Sequence, residues 1–355
     1  MQNHRLDVPT LVRALKKNRA SSIERRPTAK DVAKLAGVSI SAVSRTFTAG
    51  ASVSTGTREK VLAATRSLGY RPNALARSLM TKRTELIAII SNNFDNPLFM
   101  EVFNLFTQCL QQRGRRPLLA NLSGGARTDA ALDMLLKYSV DGVIVASSTL
   151  PLRFVEECAR AGLPVVQAFG RPKSASSGNI VGADNFQGGL LAGEVLRQRG
   201  YRSVAFLGGP RDATSTVDRL QGLKRSLTGT DTELCGQVYG HSYCHEAGFT
   251  LMKRLLQGGG FDAVFCGDDV LAMGALDACR EVGARVPLDV GVLGFNDMAM
   301  AAWPAYNLTT IRQPVADIIM MAVELLLGLI EESEEIAGLR LFKCRAVERG
   351  TLRRA

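Results

Sequence analysis

The sequence lacks the features that define membrane and exported proteins. It contains no run of 18 apolar residues, so no transmembrane helix is expected. The nearest stretch, Ile318 to Ile330, includes Glu324 and is better explained as a buried core helix. The N-terminal segment has no apolar signal-peptide core, so export is not expected. These absences favour a cytoplasmic protein without a membrane partner.

Metal-binding and catalytic residues are also scarce. The chain has three histidines, and its seven cysteines are scattered without a CxxC pair. We therefore expect no metal site and no cofactor, and interpret the cysteines as reduced and mostly packed in the interior. No GxGxxG follows a first strand, no GxxxxGK[ST] occurs, and His241 and His245 fall in one predicted loop. An enzyme is therefore disfavoured as a functional class.

Positive charge is present, but it is confined to one end of the chain. Residues 1–83 hold 17 Lys and Arg against 4 Asp and Glu, whereas the remaining residues are close to neutral. A basic region of this kind is typical of proteins that bind nucleic acid. The alternative is a solvated basic tail without a partner.

The segment 28–48 has the pattern of two short helices joined by a tight turn. Thr28 and Ser39 are suited to capping the helix starts, and Gly37 to ending the first helix. Val43 and Phe47 would face inward, which predicts a helix-turn-helix. The residues exposed near the start of the second helix would be Ile40, Ser41, Ser44 and Arg45.

A third helix should follow, capped by Ser54 and ended by Gly69. Its apolar positions would be Val61, Leu62, Thr65 and Leu68. Beyond it, Pro72 could begin a helix of two turns. Because so short a helix is marginal in isolation, we expect it to order only with a partner, either DNA or a second copy of itself.

From residue 86 onward, short apolar runs alternate with helical stretches. Strands are predicted at 86–91, 142–147, 164–169, 203–209, 262–267 and 290–295. This alternation indicates parallel sheets, and the length favours two doubly wound lobes. Ligands bind beyond the carboxyl ends of such strands. The polar residues at those ends are Asn92, Ser148, Asp184, Asp268, Asp269, Asn296 and Asp297.

Several motifs resemble the LacI/GalR family of transcriptional regulators, which includes lactose, galactose and purine repressors. In the first quarter they are DVAKLAGVS, VSR at 43–45, VSTGTREKV and LGYRPNALARSL. In the remainder they include VGADNFQGGLLAGEVL, GDDVLAMGAL, DVGVLGFND and LTTIRQP. The resemblance spans residues 28–350. It implies an α/β protein with a three-helix headpiece, a hinge helix and a core of two lobes similar to type I periplasmic binding proteins.

The resemblance also implies how the headpiece binds operator DNA. Ile40, Ser41 and Arg45 would contact base edges in the major groove. Phosphate contacts would come from Thr28, Ser39, Ser44, Ser54, Thr57 and Tyr70. In the minor groove would lie Asn73, Ala76 and Leu79, with Leu79 wedged between base steps. An isoleucine is less common in the family at the position of Ile40, so the operator sequence is left open.

For a small-molecule effector, the resemblance implies a site between the lobes. Its residues would be Leu98, Phe99, Ser148, Asp184, Ser215, Arg219, Tyr243, Asp268 and Asn296. Leu98, Phe99 and Tyr243 would stack on an apolar face, and Asp184 and Arg219 would hold polar groups. Asp268 stands where asparagine is common, and Asn296 where aspartate is common. A sugar, a sugar acid or a nucleoside-like compound all fit.

The predicted organisation is a basic extension over 1–26, a helix-turn-helix domain over 27–71, a hinge over 72–83 and an effector-binding core over 84–355. The extension is better explained as a disordered tail, or as a misassigned translation start, than as an accessory DNA-binding arm. Lobe 1 would take 84–183 and 312–338, and lobe 2 would take 184–311 and 339–355, with crossings near 183, 311 and 339.

The function implied is a sequence-specific repressor, a homodimer on a near-palindromic operator, controlled by a sugar-like effector. A solute-binding module without a role in gene regulation is the main alternative, because the core alone would allow it.

Overall fold

The computed structural model describes residues 26–48, 50–71, 78, 83–123, 128–147, 149–150, 152–170, 178–331 and 338–354. The predicted extension, most of the hinge and Ser148 lie outside the described residues. The chain divides into two compact units, Met1–Lys82 and Arg83–Ala355. We call the described part of the first unit the headpiece and the second unit the core.

Three helices make up the headpiece: α1 (Ala29–Ala36), α2 (Ile40–Thr46) and α3 (Thr55–Leu68). Local sequence sets their ends. The Thr28 backbone N–H donates to the Asp31 carboxylate at 2.8 Å, and Gly37 ends α1 in the left-handed conformation at φ 67°. Ser39 caps α2 and Ser54 caps α3, each accepting a backbone N–H.

The core of the headpiece is small. Val32, Ala33, Val43, Val61 and Ala64 are buried together. Leu62, which the apolar pattern placed inward, is 36% exposed, and Ala64 is buried instead. Three short helices can bury only their mutual faces, so an apolar residue at a neighbouring position stays in contact with solvent.

Lobe 1 contains a six-stranded parallel sheet in the order β11-β5-β4-β3-β1-β2. Its strands are β1 (Leu86–Ser91), β2 (Arg116–Asn121), β3 (Gly142–Ala146), β4 (Val165–Ala168), β5 (Asn179–Ala183) and β11 (Gly338–Phe342). Its helices are α4 (Leu98–Gln112), α5 (Thr128–Lys137), α6 (Leu152–Arg160) and α11 (Val315–Ile330). The inner strands β1 and β3 are almost wholly buried, as expected of strands covered on both faces.

Lobe 2 has a second six-stranded sheet in the order β12-β10-β9-β8-β6-β7. Its strands are β6 (Ser203–Gly208), β7 (Glu233–Tyr239), β8 (Ala263–Cys266), β9 (Gly291–Asn296), β10 (Thr310–Arg312) and the antiparallel β12 (Arg345–Val347). Its helices are α7 (Asn185–Gln198), α8 (Thr214–Leu227), α9 (His245–Gly258), α10 (Asp269–Val282) and the 3₁₀ helix Ala299–Ala302.

The third crossing between the lobes differs from the prediction. Leu339 pairs with Ile180 and Phe342 with Ala183, so β11 completes the first sheet. The chain therefore returns to lobe 2 between Phe342 and Arg345, rather than near 339. The physical reason is that the edge of the first sheet beside β5 still accepts a strand, and residues 338–342 supply its hydrogen-bonding partners.

Helices α7 and α8 approach each other closely through glycine. A Cβ atom added at Gly222 would lie 2.1 Å from the Phe186 carbonyl oxygen, and one at Gly189 would lie 2.1 Å from the Arg219 carbonyl oxygen. Only glycine allows this packing. Because α8 carries Ser215 and Arg219, the contact determines where those side chains lie.

The apolar helix predicted near 318–330 is part of α11 and packs into lobe 1, with Ile318, Val323 and Leu326 fully buried. Within the described ranges, no helix is long and apolar enough to cross a membrane. Of the seven cysteines, five are buried, in line with a packing role.

Candidate DNA-binding surface and effector site

The start of α2 presents the predicted base-contacting residues to solvent. Ile40 is 51% exposed, and Ser41 and Arg45 are exposed beside it. Val43, on the opposite side of the helix, is buried in the headpiece core. Ile40, Ser41 and Arg45 can therefore contact a partner without any change in the headpiece core.

The predicted phosphate-contacting hydroxyl groups also organise the headpiece. The Ser39 hydroxyl oxygen accepts the Ala42 N–H at 3.2 Å, and the Ser54 hydroxyl oxygen accepts the Thr57 N–H at 3.4 Å. Ser39 and Ser54 are exposed, Thr28, Ser44, Thr57 and Tyr70 are half-buried, and the Tyr70 ring packs 6.3 Å from Phe47. Thr28, Ser39, Ser54 and Thr57 thus lie at helix starts, whereas Ser44 lies in the last turn of α2 and Tyr70 follows α3. Asn73, Ala76 and Leu79 lie outside the described residues.

A cavity lies between the lobes at the carboxyl ends of their strands. Seven of the nine predicted effector residues line it: Leu98, Phe99, Ser215, Arg219, Tyr243, Asp268 and Asn296. Four lining residues were not predicted: Asn93, Asn96, Phe169 and Gln313. The cavity volume is about 40 Å³. Its position agrees with the rule that doubly wound folds bind ligands beyond the ends of their strands.

Arg219 is the buried cation of this cavity. Its Nε donates to Asn185 Oδ1 at 2.8 Å, and Nη1 donates to the Gly267 carbonyl oxygen. The guanidinium lies over the Phe295 ring at 3.6 Å from its centroid. Burial lowers the pKa of Arg219, while Tyr243 and Asp268 act in the opposite direction. The cation is therefore fixed in place by neutral acceptors and by an aromatic face.

Asp268 is the buried anion, and it belongs to a chain of hydrogen bonds. Its Oδ2 accepts Asn96 Nδ2 at 3.0 Å and Asn296 Nδ2 at 2.9 Å, and its Oδ1 accepts the Val270 N–H at 2.9 Å. Gln313 Nε2 donates to Asn296 Oδ1 at 2.8 Å, which fixes the orientation of that amide. Burial raises the pKa of Asp268, and the hydrogen bonds and Arg219 lower it.

Aromatic side chains form the apolar part of the lining. Phe99 and Phe169 meet edge to face at 6.2 Å. The Tyr243 hydroxyl lies 2.9 Å from Ser215 Oγ and 2.7 Å from Thr216 Oγ1. Burial raises the pKa of Tyr243, so the phenol remains neutral. An aromatic wall beside a cation and a carboxylate suits a ring with hydroxyl groups.

The remaining polar residues at strand ends support the fold around the cavity without lining it. Asp184 caps α7 by accepting the Gln187 N–H at 2.9 Å. Asn92 Oδ1 accepts Ser147 Oγ at 2.6 Å, and Asp269 Oδ2 accepts the Met298 N–H at 2.8 Å. Asp297 pairs with Arg312 and Arg349. These residues were expected at the site because they lie at strand ends, but that position alone does not reveal where a side chain points.

Two residues of the cavity have strained backbone conformations. Asn296 has φ 120° and Phe169 has φ 66°, which non-glycine residues rarely adopt. Such strain persists only where surrounding structure enforces it, and it concentrates at functional sites. No sequence pattern indicated it. Gln313, by contrast, stands within LTTIRQP and could have been proposed from that motif.

Comparison with known proteins agrees with this geometry. Residues 28–73 match the family model of bacterial regulatory proteins, lacI family, and residues 194–352 match a periplasmic binding protein-like domain. The chain is 34% identical over 328 residues to the HTH-type transcriptional repressor PurR of Proteus mirabilis, covering 91% of this chain and 96% of that protein. The chain belongs to the lacI family.

Further relatives agree with this membership. The Sucrose operon repressor of Pediococcus pentosaceus is 35% identical to this lacI-family protein over 318 residues, covering 87% of this chain and 94% of the relative. A crystal structure of the Lac repressor dimer bound to operator and the anti-inducer ONPF superposes with a TM-score of 0.83 at 27% identity, covering 93% of this chain and all of that one. The predicted fold class and the predicted function as a transcriptional regulator are therefore confirmed.

Proposed function

We propose that this lacI-family protein is a repressor that binds a near-palindromic operator as a homodimer. Its operator affinity falls or rises when a small molecule binds between its lobes. The observation that carries the proposal is the solvent-facing start of α2, where Ile40, Ser41 and Arg45 stand together in a strongly basic region. A dimer places two such helices on two half-sites, so protein symmetry imposes symmetry on the operator.

Each DNA-contacting residue has a distinct role in this proposal. Arg45 donates to a guanine, Ile40 contacts a thymine methyl group, and Ser41 hydrogen-bonds a base edge. The hydroxyl groups near the helix starts, with Thr28 and Tyr70, hold phosphates and set the register. In the hinge, Asn73, Ala76 and Leu79 enter the minor groove, and Leu79 opens a base step.

Dimerisation through the core is supported by apolar residues that lobe 1 leaves in solvent. Met320 on α11 is 46% exposed, and Leu339 and Leu341 on β11 are 48% and 42% exposed. Beside them, a groove is lined by Met321 and Leu325 of α11 and by Arg340 of β11. Exposed apolar side chains on adjacent elements are typical of a protein–protein interface.

The effector proposed is an uncharged sugar or similar polyol. Arg219 and Asp268 bring opposite charges to the cavity, so the charges of its described lining cancel. An additional anion would meet the Asp268 carboxylate, and hydroxyl groups can donate to Asp268 and accept from Arg219. The aromatic residues Phe99, Phe169 and Tyr243 then cover the apolar face of the ring. Contacts from Ser148 and Asp184 to the ligand are also proposed, on the family resemblance alone.

Effector and operator affinities are coupled reciprocally in this mechanism. A coupling of about 1–3 kcal/mol changes operator affinity roughly 5- to 150-fold. The protein acts in the cytoplasm on the nucleoid, and it catalyses no reaction. Turnover of a bound sugar would favour an enzyme instead, and a solute-binding module would bind a ligand without binding DNA.

Capture of genomic DNA by the purified full-length protein, followed by sequencing, tests the proposal. We expect a shared near-palindromic motif beside a small set of genes, whose pathway then identifies candidate effectors. Capture without any shared motif, with and without cell extract as a source of effector, would contradict the proposal. A panel of neutral sugars with their phosphate and acid counterparts tests the ligand class by calorimetry. Binding of the anionic members alone would overturn that assignment.

A further inference from the structure

Two hydrogen bonds cross the cleft from the start of α4 to lobe 2. Asn96 Nδ2 donates to Asp268 Oδ2 at 3.0 Å, and Glu101 Oε1 accepts the backbone N–H of Ala299 at 2.9 Å. Asn96 is 4% exposed and lies inside the cavity, whereas the Glu101 contact lies at the solvent-exposed rim. The segment from Asn96 to Glu101 in lobe 1 is therefore hydrogen-bonded to lobe 2 at two points.

The Asp268 carboxylate has no acceptor capacity to spare at the oxygen that faces the cleft. Its Oδ2 already accepts the amides of Asn96 and Asn296. A carboxylate oxygen offers about two lone-pair sites. A ligand hydroxyl can therefore reach this oxygen only where one of the two amides leaves.

Of the two amides, only that of Asn96 can leave without disturbing lobe 2. Asn296 is the last residue of β9, in the same lobe as Asp268, and its Oδ1 accepts Gln313 Nε2 at 2.8 Å. Asn96 belongs to lobe 1, and its amide moves away when the lobes separate. Its own Oδ1 accepts the Leu98 N–H at 3.0 Å, so the side chain stays oriented toward the cleft.

The volume of the cavity also indicates that the lobes must separate before a ligand binds. At about 40 Å³, it is far smaller than the roughly 150 Å³ cavity known to accept a six-membered carbon ring. A sugar ring therefore enters only when the lobes move apart, and the Asn96–Asp268 hydrogen bond opposes that movement.

We propose that Asn96 is a positioning residue that latches the cleft shut by occupying the Asp268 oxygen at which the effector binds. The effector then competes with a side chain of the protein itself, so the strength of the latch sets the threshold for effector binding. The effector half of this statement rests on the function proposed above. The latch does not, because its formation requires neither DNA nor a ligand.

Amide hydrogen exchange of the full-length protein tests the latch. Asn96→Asp keeps an oxygen to cap Leu98 but places a carboxylate against Asp268, which should drive the lobes apart. The readout is the Ala299 N–H, which lies on the other lobe and is protected by Glu101 across the cleft. Loss of a hydrogen bond to a charged group shifts an opening equilibrium about tenfold or more, and we expect exchange at Ala299 to accelerate by that factor.

Two further variants complete the experiment. Asn96→Ser keeps a capping oxygen, is too short to reach Asp268 and adds no charge, so Ala299 should exchange faster than in wild type but more slowly than in Asn96→Asp. Asn104→Asp adds the same charge at an exposed residue of α4 that does not line the cavity, and its side chain is hydrogen-bonded to Gln108 on the same helix. It should leave Ala299 unchanged.

Wild-type exchange along the rest of α4 shows that the variants fold. Wild-type exchange at Ala299 in both Asn96 variants would overturn the latch, as would equal acceleration in Asn104→Asp. Because these outcomes do not involve DNA, they are distinguishable from failure of the genomic capture that tests the proposed function.

Discussion

The headpiece and the core place their candidate functional residues in opposite environments. On the headpiece, the side chains of Ile40 and Arg45 are exposed and lie outside the buried core. In the core, Arg219, Asp268 and Asn296 are each at most 5% exposed. Arg219 is hydrogen-bonded to Asn185, and Asn296 to Asp268. The headpiece surface folds without its DNA partner, whereas the residues of the core site are part of the packing between two lobes.

This difference follows from the size of the partners. A DNA groove is wider than the side chains that enter it, so those side chains can stand in solvent until they bind. A small molecule must be surrounded, so its site is buried, and buried charges require hydrogen-bonding partners within the protein. Substitutions should therefore affect binding alone in the headpiece, but both stability and binding in the core.

Arg219→Ala should have the largest effect. It leaves Asn185 Oδ1 and the Gly267 carbonyl without their donor and removes the cation beside Asp268. Each buried unsatisfied acceptor costs about 1–3 kcal/mol. We expect a corresponding loss in the free energy of unfolding measured with denaturant, and loss of the response to effector. Arg211→Ala, at an exposed arginine on Tyr239, is the control. Equal free energies of unfolding for Arg219→Ala and Arg211→Ala would contradict the expectation that the buried core site contributes to stability.

The next largest effect should appear in the pH dependence of stability. Burial raises the pKa of Asp269 to about 7, so the folded state binds this proton more tightly than the unfolded chain. The resulting stabilisation is complete below about pH 4 and is lost as pH rises to about 7. In Asp269→Asn, oxygen can still accept the Met298 N–H, and nitrogen can donate to Thr310.

Unfolding free energies measured from pH 4 to 7 should therefore fall less steeply in Asp269→Asn than in wild type, by up to about 1.4 kcal/mol per pH unit. Asp231→Asn removes a surface carboxylate that is 87% exposed, and its slope should match wild type. Parallel curves for wild type and Asp269→Asn would show that Asp269 remains ionised in the folded protein throughout this range.

A smaller effect is expected of Gly222→Ala. Its new methyl group would lie 2.1 Å from the Phe186 carbonyl oxygen, so α7 and α8 would have to separate. Overpacking of this kind costs about 1–3 kcal/mol. Gly258→Ala, near the end of α9 with no atom within 4 Å, should be neutral or mildly stabilising. Thermal unfolding distinguishes the two, and a tolerated Gly222→Ala would mean that the helices adjust freely.

Arg45→Ala should change binding without changing stability. Losing one base contact costs about 1–3 kcal/mol of operator affinity and relaxes preference at one position. Arg66→Ala, at an exposed arginine in the last turn of α3, should alter affinity equally on all sequences or not at all. Titrations against the captured operator and its single-base variants provide the test. A uniform loss across those variants would assign Arg45 to phosphate, and a drop in melting temperature would contradict the contrast with the core.

Sequence patterns predicted the inner strands of both sheets better than the edge strands. Strands β1, β3, β4, β6, β8 and β9 were expected from continuous apolar runs, and all are found. The inner strands β5 and β10 were not expected, and neither were the edge strands β2 and β7, whose residues are mostly exposed or half-buried. A strand that is covered on one side only needs fewer apolar residues, so its sequence resembles that of a loop.

The cavity shows a similar division. Seven lining residues were named from motifs, but Asn96, Phe169 and Gln313 were not. Each contributes through a contact with a distant part of the chain, as Asn96 does with Asp268, 172 residues away. Asp184 illustrates the opposite case, since its position at a strand end was visible in the sequence but its role as a helix cap was not.

By itself, the sequence determined the local structure of this protein: helix caps at Thr28, Ser39 and Ser54, the glycine stops at Gly37 and Gly69, the buried strands and the basic first quarter. These local features depend only on neighbouring residues and on composition, and both can be read from the sequence. Only the tertiary structure decided which lobe takes β11, that Asn96 meets Asp268 and that Arg219 lies against Phe295. Those contacts join residues far apart in the chain, and they form only because the packing of whole sheets and helices brings them together.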